Sequence, residues 1–391
     1  MRDVLILDAT RTPWGKLGGG LKDHSAADLA SHLIRTLIER GGIDPGTVDN
    51  VVLGQVLQAG AGQLPARQAA IHGGLPESTP ALLVNKVCGS GMRAVTLAGL
   101  LIAAGENDLV LAGGMESMSN APYYDMATRW GARMGNRTLI DGMVYDGLWC
   151  AFENVHMANQ GDTMAAKRSI TREQMDEWSV MSQQRWGAAF ARGYFDREIT
   201  AVPSKRDPNH AALAKDESPR PNSTVERLGR IATVYGTCAI TAGNAPGVND
   251  GAAVLLLGSE QAAARAGAKP IARIVAHAEV AVAPGDFPIA SAFAIEKVLR
   301  KGNVALKDLK VIEVNEAFAA VPLICGTHLD WDVERVNRMG GSVAMGHPIG
   351  ASGARLALTA AYQLQELGGG YGVAAICSGT GQGDAVLLEA V

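Results

Sequence analysis

Strand-like and helix-like segments alternate at both ends of this 391-residue chain and lose that rhythm in the middle. Over residues 1–118, apolar runs at 4–7, 51–57, up to Cys88 and 108–113 read as strands. Helical patterns at 26–40, 65–72 and from the Cys88 turn to about 104 lie between them. This order predicts a parallel sheet covered by helices. Residues 119–248 carry Gly-, Trp- and Met-rich polar segments without a period. Within them are helices at 155–168 and at 172–192, the latter opened by Thr171 as N-cap. A surface loop follows at 203–224. Strand and helix return at 249–268, and from Pro270 the alternation restarts. It gives strands at 271–277, 309–314 and 371–377, with helices at 289–300, 317–328 and 354–366.

The two alternating regions echo one another. Ser90-Gly91-Met92-Arg93 and Ser352-Gly353-Ala354-Arg355 each open a helix that leads to a strand, and from each Arg to the end of its strand is about 20 residues. The expected organisation is therefore a duplicated α/β unit: an N-terminal half, 1–268, interrupted by an inserted domain at 119–248, and a C-terminal half, 269–391.

Composition narrows the function. Net charge is −4 without a long basic run, which gives no reason to expect nucleic acid. No apolar run approaches the ~20 residues of a membrane span. The five cysteines (88, 150, 238, 325, 377) are odd in number, widely spaced and never paired as C-x-x-C. That pattern argues against a disulfide framework and against a metal site. With Met1-Arg2-Asp3 leading straight into a strand, it predicts a cytoplasmic protein.

Cys88 ends an apolar run and is followed by Gly89-Ser90-Gly91 at a helix start. Bare N–H groups and the positive helix end there favour a thiolate. A cysteine is more often an inert core residue, so the distant residues matter. Asn315-Glu316, Gly346-His347-Pro348, Cys377-x-Gly379-x-Gly381 and His156-Met157 all fall where an element meets a turn. In open α/β sheets that is where ligands bind. Two thiols and a histidine are the parts needed for acyl transfer to carbon: a nucleophile, its base, and an acid/base for an α-proton. Gly-rich turns supply N–H donors for oxyanions. Structural readings stand beside these: Asn315 as a helix N-cap, His347 as a turn residue held by backbone, Cys377 as core. Gly89-x-Gly91-x-x-Ala94, with Glu116 about 25 residues on, also formally matches a dinucleotide loop.

Over the whole length these stretches resemble the thiolase family, in particular its acetyl-CoA acetyltransferase (acetoacetyl-CoA thiolase) branch. The matching residues include Ala9-Thr10-Arg11-Thr12-Pro13, Asn85-Lys86-Val87-Cys88-Gly89-Ser90-Gly91-Met92 and Gly113-Gly114-Met115-Glu116. Others are Asn249-Asp250-Gly251-Ala252, Asn315-Glu316-Ala317-Phe318, Gly346-His347-Pro348-Ile349-Gly350 and Cys377-x-Gly379-x-Gly381. The resemblance implies two duplicated βαβαβαββ halves in a five-layered α-β-α-β-α fold with an inserted loop domain. It implies condensation of two acetyl-CoA to acetoacetyl-CoA and CoA through an acyl-Cys88, with no cofactor, CoA thioesters being the substrates. By position, Cys377 is the acid/base. His347 activates Cys88 and shares one oxyanion hole with a water on Asn315, and the N–H groups of Cys88 and Gly379 form the other. Leu148, His156, Met157, Ala242, Gly243 and Phe318 match substrate- or CoA-binding positions. Residues 124–142 match a tetramerisation loop, implying a homotetramer.

Three departures bear on CoA. Gly243-Asn244-Ala245-Pro246-Gly247 has Pro246 in place of a serine, Ile231-Ala232-Thr233-Val234-Tyr235 lacks an arginine, and His156-Met157 is followed by Ala158 rather than glycine. Two alternatives remain at this level: a degradative 3-ketoacyl-CoA thiolase of broader chain length, and a non-catalytic acyl-CoA or lipid-binding relative.

Overall fold

The computed structural model describes residues 2–207 and 211–391; Met1 and residues 208–210 of the expected 203–224 loop lie outside the described residues. The first half comprises β1 (Val4–Arg11), α1 (Ala26–Gly41), β2 (Asn50–Gly54), α2 (Pro65–His72), β3 (Ala81–Val84), α3 (Ser90–Ala104) and β4 (Leu109–Ser117). Between Ser117 and β5 (Asn249–Gly258) the chain makes an excursion that carries α4 (Met157–Lys167) and α5 (Arg172–Ala191). Because Ser117 pairs directly with Asp250, the excursion leaves the sheet and returns to the same place. After α6 (Glu260–Ala266) come β6 (Ala272–Ala281), α7 (Ala290–Gly302), β7 (Leu309–Val314), α8 (Ala320–Leu329), α9 (Ser352–Glu366), β8 (Tyr371–Ser378) and β9 (Gln382–Ala390).

The ten-stranded sheet follows the path β7-β8-β9-β6-β1-β5-β4-β2-β3, its tenth strand, Gly15–Lys16, pairing with β5. The order is a palindrome about the β6–β1 seam. On each side an antiparallel pair, another antiparallel pair and a parallel pair follow in turn. The sheet is therefore mixed rather than parallel, because each half ends in a strand that turns back on its neighbour. Only β3 lacks a full counterpart: opposite it, Val336 makes a single parallel bridge to Ile312 of β7. The echo between the two Ser-Gly-x-Arg segments is thus a duplication of structure, with one strand of the second copy reduced to one residue.

Five layers result. Helices α1 and α2 cover the outer face of the first half and α7 that of the second, while α3 and α9 lie between and touch strands of both. Three apolar clusters fill the four interfaces, the central one built around α3 and α9. The stretch Val87–Ala104 is long and apolar enough to span a bilayer by composition. Its position in the middle layer explains that character. Burial on two faces leaves the helix no polar stripe.

Small residues allow the two central helices to meet. A side chain on Gly353 would lie 2.5 Å from the Met92 nitrogen, and one on Gly91 would lie 2.8 Å from the Gly350 carbonyl. Both are closer than any Cβ tolerates, so the starts of α3 and α9 abut. Each helix start carries one candidate catalytic turn, and the abutment brings the Cys88 and His347 turns together.

Several element bounds shift for local reasons. β2 stops at Gly54, because the Val56 and Leu57 N–H groups turn to the buried Glu116 carboxylate instead of a strand partner. Helix α8 starts at Ala320, so Asn315 is not its cap. Thr171 does cap α5, with a reciprocal bond from Gln174. β9 is the final strand that the expected ββ ending requires, but the residue pattern does not show it. Gln382, Gly383 and Asp384 disguise it, and a three-residue turn with Thr380 at φ 71° and Gly381 at φ 78° folds it onto β8.

Candidate active site

Cys88 sits in a tight turn between β3 and α3. The preceding Val87 has φ 48°, a genuine outlier for a β-branched residue. Such strain costs about 1–3 kcal/mol and persists only where surroundings impose it. Here Asn85 Oδ1 accepts the Val87 N–H (3.0 Å), and Ser90 Oγ accepts the Lys86 N–H (2.8 Å) while donating to the Val87 carbonyl (2.6 Å). Lys86 Nζ is anchored by Asp384 (2.9 Å) and Glu279 (2.8 Å). The turn is held rigidly, with the thiol half-buried at its tip.

The backbone groups of Gly379 and of Cys88 itself face the Cys88 thiol and favour its charged form, yet burial outweighs them and pushes its pKa up to about 12. This runs against the expectation of a resting thiolate: the lost solvation of this partly buried thiol outweighs the attraction of the helix start. Cys377, at the end of β8, is fully buried, and its pKa is raised by burial and by the neighbouring Cys88. The two thiols therefore lie close enough for charge on one to oppose charge on the other. Gly379 stands beside Val87 and Met157; a Cβ there would meet their side chains at 3.3 and 3.5 Å.

His347 is buried and held at three points. Its N–H donates to Asn249 Oδ1 (3.0 Å), its Nδ1 lies 2.6 Å from Ser352 Oγ, and its Nε2 is 3.4 Å from Asn315 Nδ2. Ser352 gives its one proton to the Pro348 carbonyl (2.9 Å), which can only accept. Nδ1 therefore carries the imidazole proton and Nε2 presents a bare lone pair. Burial and the Arg355 charge lower the His347 pKa to about 3, keeping the ring neutral. Gly346, at φ 113°, makes the turn possible, since any side chain there would strike Asn249.

Asn315 does not cap a helix; its Oδ1 accepts from Ser342 Oγ (2.8 Å). The next residue, Glu316, is drawn into a buried cage formed by Trp178, Ser182, Asn337 and the Val343 N–H. That cage keeps this segment out of α8. Glu116 is equally occupied, accepting from Val56, Leu57 and Gly350, with its pKa raised to about 7 by burial. The dinucleotide reading fails here: Glu116 faces no ribose site, and the space before Gly91 is filled by the α9 start.

Two cavities adjoin this centre. One, of about 360 Å³, is lined by Val87, Tyr145, Trp149, Met157, Gly379 and Thr380. Part of its rim is a π-helical turn, Met143–Leu148, and Leu148 and Cys88 both pack against the apolar cluster of Val56, Leu57, Met118 and Ile349. The second, of about 470 Å³, includes the expected Ala242 and Gly243, Ile231 of the segment already singled out for CoA, and also Lys16, Arg220 and Ser218, which sequence reasoning missed. His156 caps α4 through Nδ1 to the Ala158 N–H (3.1 Å) and stacks on Tyr235 at 3.7 Å. Phe318 packs against Gly161 of α4. Among the described residues no group of His, Cys, Asp and Glu could hold a metal.

The neutral pair makes a prediction. A thiol pKa raised to about 12 leaves little thiolate at neutrality, and a histidine pKa lowered to about 3 removes any change of its charge above pH 4. Alkylation of Cys88 by iodoacetamide in the free enzyme should climb from pH 8 upward without an inflection between pH 4 and 7. A rate already at plateau by pH 7 would show a resting thiolate–imidazolium pair instead.

A paired-thiol centre at the meeting point of two duplicated α/β halves defines an acyl-transferring class of enzyme. The chain matches the thiolase N-terminal domain over residues 4–261 and the thiolase C-terminal domain over 268–390, and it belongs to the thiolase family. It is 44% identical over 390 residues to an acetyl-CoA acetyltransferase of Pseudomonas aeruginosa, covering 99% of both chains. It is 43% identical over 390 residues to a probable acetyl-CoA acetyltransferase of Escherichia coli K12, covering 100% of this chain and 99% of the other. The crystal structure of human mitochondrial 3-ketoacyl-CoA thiolase in complex with CoA superposes with a TM-score of 0.96 at 37% identity, covering 100% and 98% of the chains.

Proposed function

We propose that the chain is an acetyl-CoA C-acetyltransferase acting on short 3-ketoacyl-CoA thioesters by a ping-pong route. The observation that carries this reading is the Cys88 thiol faced by the Gly379 and Cys88 backbone groups, with Cys377 beside it. In the first half-reaction Cys88 Sγ passes its proton to His347 Nε2 and attacks the thioester carbonyl. The N–H groups of Cys88 and Gly379 hold the oxyanion, and CoA leaves with the proton from Cys377, which becomes a thiolate while His347 keeps the Cys88 proton on Nε2. In the second, Cys377 takes an α-proton from a new acetyl-CoA. The carbanion attacks the acetyl-Cys88 carbonyl, and the Cys88–acyl bond breaks to release acetoacetyl-CoA, the Cys88 thiolate then recovering its proton from His347 Nε2. The enolate oxygen is stabilised by His347 Nε2–H and by a water on Asn315.

CoA fits the larger cavity, where Lys16 and Arg220 offer positive charge to phosphates. Arg220→Ala should raise KM for CoA about 5–20-fold and leave a truncated acetyl thioester without the nucleotide unaffected, a loss of uniform binding energy. Equal effects on both substrates would count against this placement. The protruding hairpin after Tyr123–Tyr124 exposes Trp130 and Met134 almost completely, which supports a homotetramer. Light scattering of a chain lacking residues 126–139 tests it.

A roughly 42 Da adduct on Cys88 after incubation with acetyl-CoA tests the nucleophile. The second reading, a 3-ketoacyl-CoA thiolase of broader chain length, draws on the 37% identical human structure. A substrate series separates the two: equal activity on 3-ketooctanoyl-CoA and acetoacetyl-CoA would favour it.

A further inference from the structure

Behind His347 and Asn315 run four buried polar residues that the acyl-transfer steps do not use: Ser342, Arg355, Glu313 and Gln363. Arg355 and Glu313 form an ion pair at 3.0 Å with both side chains fully buried, and Gln363 Nε2 donates to the second Glu313 oxygen at 2.7 Å. Arg355 Nη2 donates to Ser342 Oγ at 3.3 Å, Ser342 Oγ donates to Asn315 Oδ1 at 2.8 Å, and Asn315 Nδ2 reaches His347 Nε2 at 3.4 Å.

The direction of these bonds follows from the donors. A guanidinium can only donate, so Ser342 Oγ must accept from Arg355 and its single proton must point elsewhere. Asn315 Oδ1 receives it. The amide then has one orientation, with Nδ2 and its two protons toward His347. A buried ion pair stabilises a fold little or not at all compared with apolar packing, so its placement one hydroxyl away from Asn315 calls for another explanation.

We propose that Arg355 and Ser342 are positioning residues that set the orientation of the Asn315 amide, so that its Nδ2, not its Oδ1, faces the reaction centre. With Oδ1 inward, the amide would turn a lone pair toward the water it holds beside the oxyanion, and could no longer place a donor against the Nε2 lone pair of the resting ring. Glu313 and Gln363 keep the guanidinium aligned. This deepens the reading proposed above and rests on it.

The test uses Ser342→Ala, which removes only a hydroxyl, with Ser342→Thr as the conservative rescue. In Ser342→Ala, kcat for acetoacetyl-CoA thiolysis should fall about 10–100-fold, as for loss of an outer-shell partner, while KM for CoA stays within about twofold. Ser342→Thr should recover kcat to within about threefold of the wild type. Arg355→Met, checked for folding by circular dichroism, should reproduce the kcat loss of Ser342→Ala. Unchanged kcat in Ser342→Ala, in a wild type that forms the acetyl adduct, would overturn the relay alone. So would equal losses in the Ala and Thr variants, which would indicate packing. A wild type that forms no adduct would overturn the underlying reading instead.

Discussion

Cys88→Ala is expected to give a folded chain that forms no acetyl adduct and turns over at least about 10⁴-fold more slowly, the scale seen when a covalent nucleophile is removed. The fold should survive. The Val87 turn is held by Asn85, Ser90 and Lys86 rather than by the thiol, and Cys88 is only half-buried. Intact-mass measurement after mixing with acetyl-CoA reads the adduct directly, and coupled assays read both directions. Normal turnover by this variant would remove Cys88 from the chemistry.

Cys377→Ala should divide the reaction differently. The acetyl adduct should still form, because the Cys88 thiol, the Gly379 backbone and His347 all remain. Condensation to acetoacetyl-CoA should fall about 10²–10⁴-fold, the usual share of a positioned acid/base. Methyl-group deuterium exchange from labelled acetyl-CoA gives an independent readout, since only Cys377 would take that proton. If exchange and condensation both persisted, another group would have to be the base. Loss of the adduct as well would mean that Cys377 serves Cys88 rather than the second substrate.

The sequence made legible those features that depend on local pattern. The two alternating regions and the Ser-Gly-x-Arg echo led to a duplicated unit, and the structure shows the echo as two abutting helix starts. Cys88, His347 and Cys377 stood out because each lies next to or two residues before a glycine or proline, and Asn315 because it ends a strand. What stayed hidden depends on partners far along the chain. Ser342, Ser352 and Asn249 are ordinary polar residues in sequence, and only folding shows that they orient His347 and Asn315. Glu116 resembled a ribose-binding acid by spacing and is instead a staple between the first half and the His347 turn. The protonation of Cys88 was misjudged for a similar reason: a helix start is visible in sequence, while the desolvation that overrides it is not.

The palindromic sheet also has a consequence for synthesis of the chain. β1 leaves the ribosome well before the strands it pairs with, which begin only at Asn249 and Ala272. At about 5–20 residues per second, translation separates them by on the order of tens of seconds. Throughout that interval both edges of an apolar strand lack their partners, a situation that slows folding and invites wrong pairing. β1 is thus made early and completed late, and chaperone dependence should map to that strand rather than to the active site.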